Sequence, residues 1–464
     1  MHGSLAAMVA ALTGARMTAD ASFASVSTDS RTAGPGALFV ALRGEHFDAH
    51  DFLPDVAAKG VAAVVVEQLP AGWTLPAIVV PNALVALGQI AHFWRAQFAV
   101  PLIGVTGSNG KTTVKEMIAA ILAAAHGEDR RLATRGNLNN EIGVPLTVMR
   151  LAPEHKAAVV ELGMNHPGEI ARLTSIAAPT IALVNNAQRE HQEFMHTVEA
   201  VARENGAVLE GLPLDGVAVF PGDDQYTPLW LALAQARGQR RVISFGLDAG
   251  CNVSATHSAS GFGSALLVTV REQGSADLTF ALRLAAAGLH NVRNALAAIA
   301  CALAAGIRQD AIVRGLEAFA PVSGRLQHKR ATCGATVIDD SYNANPDSVR
   351  AAIDVLAQAA APRILVLGDM GEVGTQGQQF HEEIAAYAAA RGIDAVLVTG
   401  DLARHMTGAG AEHFDQFDEL LAALDARLGS KSDATVLVKG SRFMKMERVV
   451  QHLTGSHNTG KEAH

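Results

Sequence analysis

The sequence predicts an α/β protein of three domains. A small mixed α/β unit covers 1–98, a central unit on a mostly parallel sheet covers 99–320, and a Rossmann-like, doubly wound unit covers 321–464. Three observations predict this. The length of 464 residues allows two to four domains at roughly 100–200 residues each. Buried-strand runs alternate with helical patterns from about residue 99, and the alternation restarts near 321. The composition, 49% hydrophobic and 18% charged, is globular and excludes a mainly disordered chain.

The elements follow in order. ALFVAL (37–42), VAAVVVE (61–67) and AIVVP read as strands, and ALVALGQIAHFWRAQF (83–98) as a helix that leads into the strand run VPLIGVTG. KTTVKEMIAAILAAAHG places Val114, Met117, Ile118, Ile121 and Leu122 on one stripe, the mark of a core-facing helix. AAVVELG (157–163), TIALVNN (180–186), GVAVF (216–220) and RVISFG (241–246) continue a parallel sheet, to which NVSATHS, SALLVTVRE and DLTFALRL add an antiparallel set. NVRNALAAIACALAAG (291–306) is helical and stops at Gly306. In the last unit TVIDDS, RILVLGDM, AVLVTG and TVLVKGS are strands, with helices between them. The polar tail from about Gly455 reads as a frayed end.

The strongest chemical signal is GVTGSNGKTT, which follows a strand and opens the amphipathic helix. That context makes it a phosphate-binding loop, a variant of the strict pattern, which would want glycine at Val105, and makes the central unit a P-loop ATPase-type sheet. Gly107, Ser108, Asn109 and Gly110 bring backbone N–H groups to phosphate oxygens, Lys111 reaches the outer phosphates, the Thr112 hydroxyl is a Mg²⁺ ligand candidate, and Thr113 continues the motif. Glu161 closes one strand and His191 follows another, and ligands of doubly wound sheets bind beyond strand carboxyl ends. Asn291 and Asn294 lie three apart on a helix start, Arg325 opens the last unit, and Asp340 ends a strand before an Asn- and Pro-rich turn. HQEFMH (191–196) and the pair Asp48, His50 imitate zinc spacings without a third ligand, so zinc is not expected at either.

Charge narrows the partners. Lys plus Arg is 37 and Asp plus Glu is 45, a net −8, which argues against nucleic acid as the main partner. The three cysteines, Cys251, Cys301 and Cys333, are far apart, so neither a disulfide framework nor a Cys-rich metal site is expected. No run approaches the ~18 apolar residues of a membrane span and the N-terminus is a poor signal peptide, so a cytoplasmic location is expected.

Taken together, Lys111, Glu161, His191, Asn291, Asn294, Arg325 and Asp340 resemble, in that order, the nearly invariant set of the Mur ligase family, the ATP-dependent amide-forming enzymes of peptidoglycan precursor synthesis. The resemblance spans the chain except its polar tail. It implies ATP and Mg²⁺ as cofactors, with Thr112, Glu161 and His191 as Mg²⁺ ligands, and Asn291, Asn294, Arg325 and Asp340 around the nucleotide. It also implies a catalytic set of Lys111, Glu161, His191 and Arg325, and a monomer working on small-molecule substrates.

The N-terminal segment STDSR (27–31), PGALFVALRG and FDAHDF (47–52) look like the uridine-nucleotide domain of the two later ligases, which makes Ser30, Arg31 and His50 candidates for the UDP-linked substrate. GNLNNEIGVPLT, ELGMNHPGEI, DDSYNANPDS and LGDMGEVG are similar to the family member that adds a D-alanyl-D-alanine dipeptide to a UDP-N-acetylmuramoyl-tripeptide. That member acts through an acyl phosphate, and Asn343, Asn345 and Ser348 are the weaker candidates for the dipeptide end. The alternatives are the ligase adding the third amino acid, whose DNPR motif does not occur here, and, in another class, a P-loop switch. One departure stands out. Many members carry a carboxylated lysine after the His, whereas this chain has Glu204 and Asn205 there and no lysine between Lys156 and Lys329. Glu204 or water is left to fill that place.

Overall fold

The computed structural model describes residues 1–456 apart from 45, 273, 275 and 430–432. Of the polar tail, residues 457–464 therefore lie outside the described residues. Three large sheets organise the chain.

The first sheet runs β1 (Arg16–Met17), β5 (Ala77–Val79), β4 (Ala63–Val66), β3 (Ala37–Val40), β2 (Ser25–Ser27), with only β1 antiparallel to its neighbour. β3 and β4 are buried at every position, as β-rich apolar runs covered on both faces must be. Helix α1 (Ala83–Arg95) is capped by the Asn82 side chain and carries this sheet onto the central domain. Leu87, Ile90, Ala91 and Trp94 join one continuous core with Leu102, Val160 and Val184 of the central strands. The Trp94 indole N–H donates to the Leu151 carbonyl, and the buried Arg95 donates to the carbonyls of Ala177, Phe98 and Val100.

The central sheet has nine strands. In spatial order they are β14 (Leu278–Leu284), β13 (Ser264–Val270), β12 (Val253–Ala259), β11 (Arg241–Gly246), β10 (Val217–Pro221), β9 (Ile181–Val184), β6 (Leu102–Thr106), β8 (Ala157–Glu161) and β7 (Arg131–Ala133). β7 to β12 are parallel and β12–β13–β14 antiparallel. The side chains of β6 alternate: Leu102 faces the α1 side, while Ile103 and Val105 face helix α2 (Lys111–His126). The Val114, Met117, Ile118, Ile121, Leu122 stripe of α2 is fully buried and packs against α5 (Leu289–Ala304), itself buried almost throughout.

The third sheet runs β15 (Gln327–Arg330), β16 (Thr336–Asp340), β20 (Thr435–Lys439), β17 (Arg363–Gly368), β18 (Ala395–Thr399), β19 (Glu412–Phe414), parallel apart from β15. Helices α6 (Pro346–Ala357) and α7 (Gly377–Ala390) cover one face, and α8 (Phe417–Leu428) covers the other. This is the doubly wound pattern expected of the last unit. Its core is separate from the other two. Among the described residues, Phe262 and Ala287 are the central-domain hydrophobics packed against it.

Candidate active site

Strand register decides where the chemistry gathers. Glu161 pairs with Val105, and Val184 with Thr106, so the carboxyl ends of β8, β6 and β9 finish side by side. Those ends and the loops that leave them carry Gly107–Gly110, Glu161 and the Gln188–His191 segment. They open on one cleft of about 860 Å³, closed on its far side by residues of the third domain. Sixteen of the nineteen predicted site residues bear on it or its wall. Ser108, Asn109, Gly110, Lys111, Thr112, Thr113, Glu161, His191, Asn291, Asn294, Arg325, Asp340, Asn343, Asn345 and Ser348 line the cleft directly. Gly107 forms the loop beneath it, and Lys111 roofs that loop.

The phosphate loop is held by hydrogen bonds from all sides. Gly107 N–H donates to Asn205 Oδ1 at 2.9 Å, and Asn109 N–H to Asn186 Oδ1 at 2.9 Å. The Asn185 and Asn186 side-chain amides both donate to the Asn109 carbonyl. Gly110 has φ +81°, and a Cβ there would sit 2.5 Å from Asn294 Oδ1, so only glycine turns this corner. Helix α2 starts straight after it with no side-chain cap. Its first N–H groups and its positive dipole end are therefore offered to an anion. Lys111 is the first residue of that helix, and its ammonium donates to the Gly107 and Ser108 carbonyls at 2.6 and 3.0 Å.

Glu161 is 2% exposed. Its Oε1 accepts from Thr112 Oγ1 at 3.2 Å and Asn139 Nδ2 at 2.9 Å, whereas Oε2 is buried without a partner. An unpaired buried carboxylate oxygen costs about 1–3 kcal/mol or more, so this oxygen is suited to a cation on the cleft side. Among the described residues no three His, Cys, Asp or Glu side chains form a complete cage. Mg²⁺ does not need one, because it keeps several waters and takes phosphate oxygens with one or two carboxylates. His191, at φ +51°, places Nδ1 2.6 Å from Glu372 Oε2 of the third domain.

The nucleotide candidates are wired together. Asn185 Nδ2 donates to Asn294 Oδ1, Asn294 Nδ2 to Asn291 Oδ1, and Asn291 Nδ2 to the Ala287 carbonyl. This chain fixes both amides on the cleft wall. His290 beside them has its pKa pulled down to about 4 by burial, with the Lys439 charge adding to the effect. From the third domain, the Arg325 guanidinium stacks 4.3 Å over the Tyr342 ring. Asp340 accepts from Lys439 Nζ at 2.6 Å and from the Leu326 N–H at 3.1 Å.

Three predicted residues stand elsewhere. Ser30, Arg31 and His50 do not line this cleft. Arg31 is exposed and paired with Asp29. Both ring nitrogens of His50 are engaged inside its own domain, Nδ1 with Asp48 at 2.6 Å and Nε2 as acceptor from the Glu67 N–H at 3.0 Å. Asn345 and Ser348 line the cleft but also form the capping box of α6, and Asn345 exchanges amide hydrogen bonds with Asn109. Glu204, considered for the place of the carboxylated lysine, is committed elsewhere: its carboxylate accepts the N–H groups of Gly168 and Ile170 at the start of helix α3 (Glu169–Ala177). Asn205, next in the chain, supports the phosphate loop.

Several residues that bear on the site were missed from sequence, among them Asn139, Asn185, Asn186, Glu190 and Glu372. Glu190 lines the cleft and lies 3.3 Å from Lys111 Nζ, and Glu372 meets His191. An acid directly before His191, in a loop after a buried strand, was the available signal for Glu190.

Comparison with known proteins finds matches along most of the chain. Residues 22–120 match the model described as Mur ligase family, catalytic domain, 105–302 the Mur ligase middle domain, and 324–442 the Mur ligase glutamate ligase domain. The chain is 40% identical over 450 residues to the UDP-N-acetylmuramoyl-tripeptide–D-alanyl-D-alanine ligase of Escherichia coli K12, covering 95% of each chain. A crystal structure of MurF from Acinetobacter baumannii superposes with a TM-score of 0.90 at 33% identity, covering 98% of this chain and 99% of the other. A structure of MurF ligase from Thermotoga maritima in complex with ADP superposes at 0.82 with 25% identity, covering 93% and 97%.

Proposed function

The chain belongs to the Mur ligase family, and from that premise we infer that it joins D-alanyl-D-alanine to a UDP-N-acetylmuramoyl-tripeptide at the expense of ATP, making the pentapeptide precursor of peptidoglycan. The observation that carries this beyond likeness is the single cleft, in which the phosphate loop, an unpaired buried carboxylate oxygen and the cations of a second α/β sheet face one another.

The chemistry that membership of this family implies is consistent with the residues. A carboxylate is a poor electrophile, so the tripeptide carboxylate takes the γ-phosphoryl group of ATP as the bond to the β,γ-bridging oxygen breaks and ADP leaves. The dipeptide amine attacks the acyl phosphate, the C–N bond forms and inorganic phosphate leaves. Lys111 and the uncapped start of α2 neutralise the phosphates, and Asn291 and Asn294 hold the nucleotide on the wall. Thr112, Glu161 and His191 are the residues that would hold Mg²⁺, whose chemistry is to offset the charge of the crowded anions and orient them. Arg325 and Asp340 reach the cleft from the third domain, so its position over the central sheet completes the site and shields the acyl phosphate from water. Asn343, Asn345 and Ser348 line the same wall and are assigned to the dipeptide end, and Ser30, Arg31 and His50 to the uridine end. The domain limits we assign are 1–98, 99–320 and 321–464. We assign a monomer acting in the cytoplasm; no described helix is long and apolar enough to cross a membrane.

The test is phosphate release with ATP and Mg²⁺, the tripeptide nucleotide and the dipeptide being added separately and together. Release that requires both, with a pentapeptide product by mass, is expected. Lys111→Ala should lower turnover at least about 10³-fold. Activity with a dipeptide-bearing nucleotide and a free diamino acid would move the enzyme to the preceding step. Release independent of both substrates would indicate a P-loop switch.

A further inference from the structure

Residues Arg189, Glu190 and His191 are consecutive, yet each faces a different element. Glu190 meets Lys111 of the phosphate-loop helix. His191 meets Glu372 of the third domain, and Gly374 beside it packs against Glu193. Arg189 is tied to the third domain at two levels. Its backbone N–H donates to Asp347 Oδ2 at 2.8 Å, and its guanidinium donates to Asp347 Oδ1 at 3.0 and 2.6 Å. The same guanidinium reaches Glu383 at 2.8 and 3.2 Å and lies 5.3 Å from the Phe380 ring centroid. Asp347 is in the first turn of α6, and Glu383 is in α7 and also takes a hydrogen bond from Arg350.

These side chains are about a quarter to a third exposed, so the fork is screened less than a surface ion pair. Of the three, Asp347 lines the cleft, whereas Arg189 and Glu383 lie outside its lining. The fork fixes the backbone one residue before Glu190 and two before His191, at the place where the chain turns to a positive φ.

We propose that Arg189 is a positioning residue for ligation: its fork to Asp347 and Glu383 holds the third domain over the phosphate loop, and so sets the placement of Glu190 against Lys111 and of His191 in the cleft. This rests on the ligase reading of the same cleft. If it is right, losing the fork should spoil the chemical step more than ATP capture, because most of the hydrogen bonds that hold the phosphate loop come from the central domain.

The experiment uses the full-length chain with Arg189→Gln, Arg189→Lys, Asp347→Asn and the double variant Arg189→Gln/Asp347→Asn. Arg189→Gln should lower kcat about tenfold or more, while the KM for ATP changes less than about threefold and the melting temperature falls only a few degrees. Arg189→Lys should recover part of kcat, and the double variant should be no worse than either single one. Small-angle scattering with β,γ-imido-ATP is the second readout, in which Arg189→Gln should be more extended than the parent protein. A kcat within about twofold of the parent, or single losses that multiply in the double variant, would overturn the proposal. Were the parent protein itself to show no ligation, the functional reading would fall. The scattering would then decide the fork alone, and equal radii of gyration would sink it.

Discussion

The central domain meets its two neighbours in opposite ways. Toward the N-terminal domain the contact is apolar and continuous: Leu38, Val40 and Val65 of the first sheet share one core with Leu87, Ile90, Trp94, Leu102 and Val184. Toward the third domain it is largely polar, made by Asn109 with Asn345, Arg189 with Asp347 and Glu383, and His191 with Glu372. Burial of apolar surface contributes about 25 cal/mol per Å² and has no directional demand, so the first contact is a weld. Hydrogen bonds and ion pairs exchange for water at a net of about 1 kcal/mol each, so the second can open and re-form. A catalyst that must admit substrates and then exclude water needs one contact of each kind.

The comparison breaks first at the weld. Trp94 is 6% exposed, donates to the Leu151 carbonyl and packs edge-on against Phe98 and His2. Trp94→Ala should cost about 3–5 kcal/mol of stability, read as a lower denaturant midpoint. The folded fraction should keep the parent kcat, because no cleft residue moves. A loss of kcat with stability intact would mean that this contact, too, works as a hinge.

How much of this could be read from the chain alone depended on what each residue spends its polar atoms on. The three sheets were legible, because strand runs such as LIGVT and the α2 stripe follow backbone period and burial. The phosphate loop was legible because its glycines serve local geometry. Which domain an apolar helix faces was not: the α1 stripe shows that it is buried, not that it is shared between two domains. The polar clasp was also hidden. The pairing of Arg189 with Asp347 and Glu383, across more than 150 positions, leaves no local signature. At Asp48 and His50 the D-x-H spacing, from which no zinc site was expected, is a hydrogen-bonded turn.

That last point sharpens the view of the welded domain. If its substrate-facing groups are those with atoms to spare, the exposed Arg31 is a better uridine-end candidate than His50. Arg31→Ala should raise the KM for the UDP-linked peptide about tenfold with little change in melting. His50→Ala should leave that KM within about threefold but lower stability by about 1–3 kcal/mol, since the Asp48 carboxylate and the Glu67 N–H lose their partner. The reverse pattern would return His50 to the substrate.

The smallest expected effect probes the polar contact through pH. His290 sits at the cleft wall with its pKa lowered from 6.5 to about 4, first by burial and then by Lys439, a cation that the third domain brings to it. Between those two values the unfolded chain holds a proton that the folded chain refuses. Stability is therefore complete above about 6.5 and declines as pH falls toward 4. At 1.36 kcal/mol per unit the ceiling is about 3 kcal/mol, and partial exposure of the ring reduces it. His290→Gln keeps a polar group of similar reach but cannot titrate, so its urea midpoint should fall less than that of the parent protein between pH 7 and pH 5. Because part of the shift comes from Lys439, Arg189→Gln should also flatten the parent profile by letting the third domain move away. Equal slopes in all three proteins would show that neither the ring nor the clasp governs the acid response, and the polar contact would then be as rigid as the weld.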